Sequence, residues 1–180
     1  NEEINPVLAK LRVKIAEQLN LIKEEYKFCW ITDFPLFEWS EEEQKWNPMH
    51  HIFTSPKPEH IKYLDTDPGK VYGILYDLTL NGVELLSGSI RINKPELQEK
   101  VMKVIGMSKE QAYKKFGFLL NAYRYGGPPH GGVGLGIDRL IAIMVVVPGN
   151  DIREVIAFPK NKAAQCPMDD SPAEVDPIQL

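Results

Sequence analysis

The segment KVYGILYDLTLNGVELLSGSIRI, residues 70–92, limits the fold more than any other part of the chain. Two β-rich runs flank Asn81–Gly82. An Asn-Gly pair is what a two-residue type I′ turn selects, because both central positions need positive φ. The segment therefore predicts an antiparallel hairpin. Counted outward in an unbroken ladder, Leu80 opposes Val83, Thr79 opposes Glu84 and Asp77 opposes Leu86. Opposed residues share a face, so Asp77, Thr79 and Glu84 are expected together. Two carboxylates on one face with no cation between them repel. Either that face is solvated, or a divalent ion bridges the acids to phosphate, since Mg²⁺ takes few carboxylates plus phosphate oxygens. Arg91 would oppose Tyr72, on the face away from Glu84. It joins the acids only if the strand slips by one residue, and SGS (87–89) is where a glycine-marked bulge would allow that. There its fork would suit a carboxylate; otherwise it makes a surface ion pair.

The rest of the chain supplies more strands and several helices. KFCWITDF (27–34) is β-branched and aromatic, hence strand. LFEWSEEEQKWNPM (36–49) predicts two short strands joined by an acidic turn, and EVIAFPK (154–160) a further strand. NPVLAKLRVKIAEQLNLI (5–22) predicts a helix with Asn5 as N-cap, Pro6 at the first position and Leu8, Leu11, Ile15 and Leu19 at helical spacing. SPKPEHIKYL (55–64) predicts a short helix and DTDPGK (65–70) a loop. Helices are also expected over 94–106, 108–126 and 138–147, the second opened by a Ser108/Gln111 capping box. The tail from Gln165 is expected to be irregular. Strands arrive as neighbours and hairpins, not alternating with helices. The expected class is α+β: an antiparallel sheet with helices packed on one side.

The stretch GGPPHGGVGLGIDRL (126–140) lacks the Lys–Ser/Thr of a Walker loop, and its glycines do not follow the dinucleotide fingerprint. Gly132, Gly134 and Gly136 alternate, so an extended strand puts them on one face. Val133, Leu135 and Ile137 would then point to the core. A strand face without side chains packs poorly but accepts a flat object such as a base or ribose. The plain reading is a glycine-rich strand against a helix. Arg139 is expected at the strand-to-helix junction, where a helix N-terminus favours anions. His50 and His51 follow Pro48; on a strand they would point to opposite sides and could not share a metal, and in a loop they could touch a small charged substrate. His130 either fixes its turn or acts in the site.

The chain has 180 residues, a net charge of −4 and 43% hydrophobic residues, which suits one domain with a real core. That charge leaves no blanket basic surface for nucleic acid. Cys29 and Cys166 lie far apart with no CxxC spacing, so neither a disulfide scaffold nor a zinc site is expected, and a cytoplasmic setting fits. No signal peptide or membrane-spanning run is apparent. The chain begins with Asn1, so it is expected to be a piece of a longer protein.

The segments FCWITDFPLFEWSEEEQKWNPMHHIFTSPKP, YDLTLNGVELLSGSIRI, FGFLLNAYRYGGPPHGGVGLGIDRL and REVIAFPK together resemble the C-terminal part of the bacterial-type aspartyl-tRNA synthetases, with GVGLGIDR similar to motif 3 of class II synthetases. The resemblance implies that residues 1–25 end an inserted domain and residues 26–180 form the C-terminal part of a class II catalytic domain. It implies activation of aspartate with ATP and Mg²⁺, then transfer to tRNA, in a homodimeric parent not bound to a membrane. Carried over, Arg139 is the motif 3 arginine on the ATP γ-phosphate. Asp77 and Glu84 hold Mg²⁺ on ATP, and Gly132, Gly134 and Gly136 form the floor under the adenosine. Arg91 pairs with the aspartate side chain, with His50 and His51 in a mobile loop beside it. Leu86, Ser87 and Gly88 stand where bacterial members usually carry three glycines. Motifs 1 and 2 and an anticodon-binding domain are not apparent, so the chain is expected to hold half a site and to be inactive alone. Two other readings stand beside this one: a related asparaginyl enzyme, and a non-catalytic synthetase-like binding module.

Overall fold

A computed structural model describes residues 4–23 and 25–174. The predicted hairpin is present. β4 (Leu75–Leu80) and β5 (Val83–Ile90) pair antiparallel. Asn81 and Gly82 both take positive φ, 51° and 81°, as a type I′ turn requires. The Asn81 side chain also ties the turn to the approach of β1 (Phe28–Thr32). It accepts from the Lys27 amide at 2.8 Å and donates to the Glu25 carbonyl at 2.9 Å. The sheet order is β1-β4-β5-β6, with every pair antiparallel and β6 spanning Gly131–Leu135. A separate small hairpin joins β2 (Phe37–Ser40) to β3 (Lys45–Pro48).

The hairpin register differs from the unbroken count. It shifts between Leu78 and Thr79: Thr79 opposes Glu84, Leu78 opposes Leu86, and Asp77 opposes Ser87, not Leu86. The extra residue is Leu85, which is buried. The one-residue slip that Arg91 would need to join the acids therefore occurs, but three residues from the turn and not at 87–89. A bulge next to a tight turn absorbs its extra residue where local twist is already strong. Gly88 has another role: a Cβ there would lie 2.3 Å from the Gly132 carbonyl oxygen and 2.6 Å from the Tyr76 ring. Tyr76 lies across this glycine and donates to the Gly132 carbonyl at 3.2 Å.

The larger core lies beyond the end of the sheet. Leu36, Phe37, Ile52, Leu64 and Val71 meet Val101 and Met102 of α2 (Pro95–Val104) and Ala112 and Leu120 of α3 (Lys109–Arg124). The predicted Ser108/Gln111 capping box opens α3. Among the described helices α4 (Ile137–Met144) lies on the sheet, where Ile143 packs on Leu80 and Leu85. The expectation of helices on one sheet face thus holds for α4 alone; α2 and α3 cover the 34–72 segment instead. Short 3₁₀ turns occupy Pro58–Tyr63 and, within the expected loop, Pro68–Lys70.

Four further expectations need correction. α1 spans Ile4–Gln18, so Asn5 lies inside its first turn and is not its cap. It has no buried residue: Leu8, Leu11 and Ile15, and Leu19 just past its end, remain 43–62% exposed because among the described residues nothing buries their stripe. Val133 and Leu135 alternate with the glycines of β6 but are 55% and 46% exposed, since α4 covers β4–β5 and not this edge strand; β6 ends at Leu135, so Gly136 caps α4 and Ile137 opens that helix instead of continuing the alternation. Residues 154–160 form no strand. A 3₁₀ turn at Ile152–Glu154 is followed by irregular chain, because among the described residues no strand runs beside it to complete a ladder. α4 ends at Met144, short of 147, where Val146 takes a positive φ of 56°.

Gly88→Ala is expected to lower stability by about 1–3 kcal/mol through overpacking. Gly132→Ala, whose Cβ would meet no atom within 4 Å, is expected to change it by less than about 0.5 kcal/mol. Urea unfolding midpoints of the two variants provide the comparison.

Candidate active site

The bulge decides which side chains share a face. Beyond it Ser87 and Ser89 of β5 oppose Asp77 and Leu75 of β4, and Arg91 follows two residues on. Across the other edge of β5, Gly134 opposes Ser87 and Gly132 opposes Ser89. Asp77, Ser87 and Gly134 thus form one row, with Arg91 and Glu84 on the same face at its two ends. The slip puts Arg91 on the face of the acids, the condition under which it could serve the same pocket. From Glu84 to Arg91 the strand covers roughly 20 Å, at about 3.3 Å per residue.

At the first end, Arg139 sits in the opening turn of α4, whose cap is Gly136. Its guanidinium donates to the Glu84 carbonyl, and the Gly136 amide donates to the Leu85 carbonyl at 2.9 Å. Glu84, Gly134, Gly136, Asp138 and Arg139 line a cleft of about 400 Å³. The glycine floor is open: a Cβ on Gly132 would touch nothing, and one on Gly134 would come only within 3.9 Å of the Ser87 carbonyl. Asp77 is 9% exposed, and its Oδ1 is buried without a hydrogen-bond partner. A buried carboxylate oxygen left open in this way costs about 1–3 kcal/mol or more. It suits a cation or a donor carried by a ligand. Glu84, on the diagonal from Asp77, is exposed. Two such carboxylates match a Mg²⁺ ion that takes its remaining ligands from phosphate and water. Among the described residues no group of three or more His, Cys, Asp or Glu forms a self-sufficient metal site.

At the other end, Arg91 Nη1 lies against the ring of His51, closest to Nε2 and 3.0 Å from Nδ1. His51 Nδ1 also lies 3.3 Å from the Phe53 amide and 3.3 Å from Thr54 Oγ1. These donors need an unprotonated ring nitrogen. His51 is accordingly held below the ordinary histidine range, first by burial and then by the charges of Arg91 and His50. Among the described residues no ion pair includes Arg91, so its charge is held beside a neutral ring and not a carboxylate. His50 points elsewhere and meets Phe34 edge-on at 5.2 Å. His130 fixes its turn. Its carbonyl accepts from the Arg91 amide at 2.9 Å, and its ring lies 3.0 Å from the Pro128 carbonyl.

Sequence reasoning missed three buried polar residues near Arg91. Thr54, fully buried, bridges to Arg91 and contacts His51. Ser89, also fully buried, leaves its Oγ without a partner. Tyr123 approaches from α3, its hydroxyl 3.5 Å from His130 Nε2 and its acidity reduced by burial. Only the alternation of Ser87, Ser89 and Arg91 carried a local signal. The other contacts join residues distant in sequence.

A family model described as tRNA synthetases class II (D, K and N) matches residues 7–162. The chain belongs to that family. Among curated relatives, it is 55% identical over 180 residues to the Aspartate–tRNA(Asp/Asn) ligase of Dictyoglomus turgidum, covering 99% of this chain and 30% of the relative. It is 51% identical over 181 residues to the Aspartate–tRNA ligase of Ruminiclostridium cellulolyticum, again covering 30% of that protein. The chain therefore spans about 30% of the length of these relatives. Its fold matches the aspartyl tRNA synthetase of Entamoeba histolytica with a TM-score of 0.58 at 24% identity, over 86% of this chain and 26% of that one. It also matches the asparaginyl-tRNA synthetase of Pyrococcus horikoshii complexed with asparaginyl-adenylate. There the TM-score is 0.53 at 25% identity, over 78% and 27% of the two chains.

His51 is expected to titrate below its ordinary value of 6.5, and Arg91→Met to raise that midpoint without fully restoring it, because burial is the larger cause. A base whose folded midpoint is depressed stabilises the fold above its unfolded midpoint. That stability is lost as pH falls through the unfolded midpoint to the folded one. NMR titration of the imidazole signals checks both statements.

Proposed function

We propose that this chain is the motif 3 part of an aspartate–tRNA ligase. Its bulged face takes ATP and aspartate end to end. The single observation that carries this is Arg91, a half-buried cation without a carboxylate partner among the described residues, on one face with an open glycine floor. A guanidinium fork beside a neutral imidazole suits a substrate carboxylate better than an amide, which would leave the charge unmatched. This favours aspartate over the asparaginyl alternative. The names of the relatives more than half identical agree.

In this reading the α-carboxylate of aspartate attacks the α-phosphate of ATP, forming aspartyl-adenylate as pyrophosphate leaves. The aspartyl group then passes to the terminal adenosine of tRNA. The chain's own residues position and neutralise charge. Arg91 grips the aspartate side chain, with His51 setting its direction and His50 on the same loop. Gly132, Gly134 and Gly136 let the nucleoside lie against the backbone. Arg139 takes the γ-phosphate. Asp77 and Glu84 would hold Mg²⁺ on ATP, and that ion, when bound, neutralises phosphate charge. The arginine for the α-phosphate is assigned to the parent outside these residues, as are the homodimer interface and most of the tRNA contact. α1, with its uncovered apolar stripe, is assigned to the end of an inserted domain. A cytoplasmic location fits the substrates and the two free cysteines.

Two outcomes test this. The isolated chain is expected to show no aspartate-dependent ATP–pyrophosphate exchange. In the full-length enzyme, Arg91→Ala is expected to raise the aspartate KM roughly 10- to 100-fold, the range of a charge-assisted hydrogen bond, with the ATP KM moving less than about threefold. A loss confined to ATP would refute the role given to Arg91.

A further inference from the structure

Gln98 lies on the buried face of α2 with Val101 and Met102 and is fully buried. Its Nε2 donates to the Ile52 carbonyl at 2.7 Å, across 46 residues of sequence. Its Oε1 is also buried and has no partner. A glutamine is a poor choice for filling this space. Methionine has similar volume, suits the surrounding core and leaves no orphan acceptor. The bond must therefore be judged by what it holds. Ile52 directly follows His51, the ring that receives the Arg91 guanidinium. The next two residues are tied down as well: the Phe53 carbonyl accepts from the Ile92 amide at 2.9 Å, and Thr54 bridges to Arg91. Gln98 supplies the link from the helical core to the same three-residue run. On the other side of His51, the Met49 amide donates to the Leu36 carbonyl at 3.1 Å, and the His50 ring is exposed against Phe34.

We infer that Gln98 is a positioning residue: its amide fixes the Ile52 backbone so that His51 orients Arg91 for the acidic side chain of the substrate. Gln98 touches no substrate, and the two ends of the face respond differently to its loss. The arginine–histidine end loosens. The Glu84–Arg139 end depends on β5 and α4 and does not. The inference rests on the aspartate–tRNA ligase reading above.

The test uses the full-length enzyme with Gln98→Met and Arg91→Ala assayed side by side for ATP–pyrophosphate exchange, with thermal melting of each. Gln98→Met is expected to melt within a few degrees of the parent, because one orphan acceptor is removed as another, the Ile52 carbonyl, is exposed. It is expected to raise the aspartate KM about 3- to 10-fold, the range of one neutral hydrogen bond, and to leave the ATP KM and kcat near the parent values. A melting temperature lowered with all kinetic constants unchanged would make Gln98 a packing residue only and overturn the inference. So would aspartate and ATP KM rising together. If Arg91→Ala raises the aspartate KM and Gln98→Met does not, the inference falls alone. If Arg91→Ala leaves it unchanged, the functional reading falls first.

Discussion

One extra residue in β5 governs the candidate site. Without the bulge at Leu85, Arg91 would project from the opposite face of the sheet, away from Asp77 and Glu84. The register of a strand has period two, so a slip of one residue exchanges every side chain between faces. Here the slip comes after Glu84, which keeps its place beside Thr79, and before Ser87, Ser89 and Arg91, which all change sides. The displaced residue is not wasted as a packing element: Leu85 is buried with Leu80 and Ile143, which seats α4 and so Arg139 at the same end. One irregularity thus places both arginines relative to the acids.

The glycine strand depends on the same event. β6 pairs with the part of β5 beyond the bulge, so Gly132 and Gly134 fall in phase with Ser89 and Ser87. Its hold on the sheet comes from the ladder and from Tyr76 lying over Gly88, not from a core on its back, since Val133 and Leu135 are largely exposed. The stable mass sits elsewhere, in the packing of α2 and α3 on the 34–72 segment. That arrangement anchors the chain just after His51 while leaving the glycine strand of the sheet thinly covered.

Features set by neighbours in sequence were legible from the sequence. The Asn81–Gly82 turn, the capping box of α3, the β2–β3 hairpin and the alternating glycines each rest on residues a few positions apart. The need for a slip could also be deduced, from the conflict between Glu84 and Arg91, but not its position. A bulge is placed by the packing of its extra residue, and besides nearby Leu80 the partner of Leu85 is Ile143 on α4, over fifty residues away. The same limit explains the failures. Periodicity marks an apolar stripe on α1 and β propensity marks 154–160, yet neither says whether a partner surface or strand is there to use it. At the site, Asp77, Glu84, Arg91 and Arg139 stood out by charge. Thr54, Ser89 and Gln98 did not, because a buried neutral polar residue has no signature until the fold surrounds it.

Ser89 and Gln98, together with Asp77, also point to where the fold carries its unmet demands. The buried side-chain atoms without partners among the described residues are Asp77 Oδ1, Ser89 Oγ and Gln98 Oε1. Two of them lie on the face shared with Arg91, and the third is on the residue that holds the loop opposite it. Each costs about 1–3 kcal/mol in a fold whose net stability is only a few times larger. A sequence selected for stability alone would remove them with apolar residues of similar size, so their clustering needs a cause. Arg91 has the complementary deficit, a charge with no carboxylate beside it. A ligand bearing one carboxylate, an ammonium group and a metal-bound phosphate could satisfy Arg91 and Asp77 together, and would relieve the cost at the moment of binding. In the reading proposed above, substrate completes these unmet groups as one polar network, beside a face whose neighbouring segment is packed by α2 and α3.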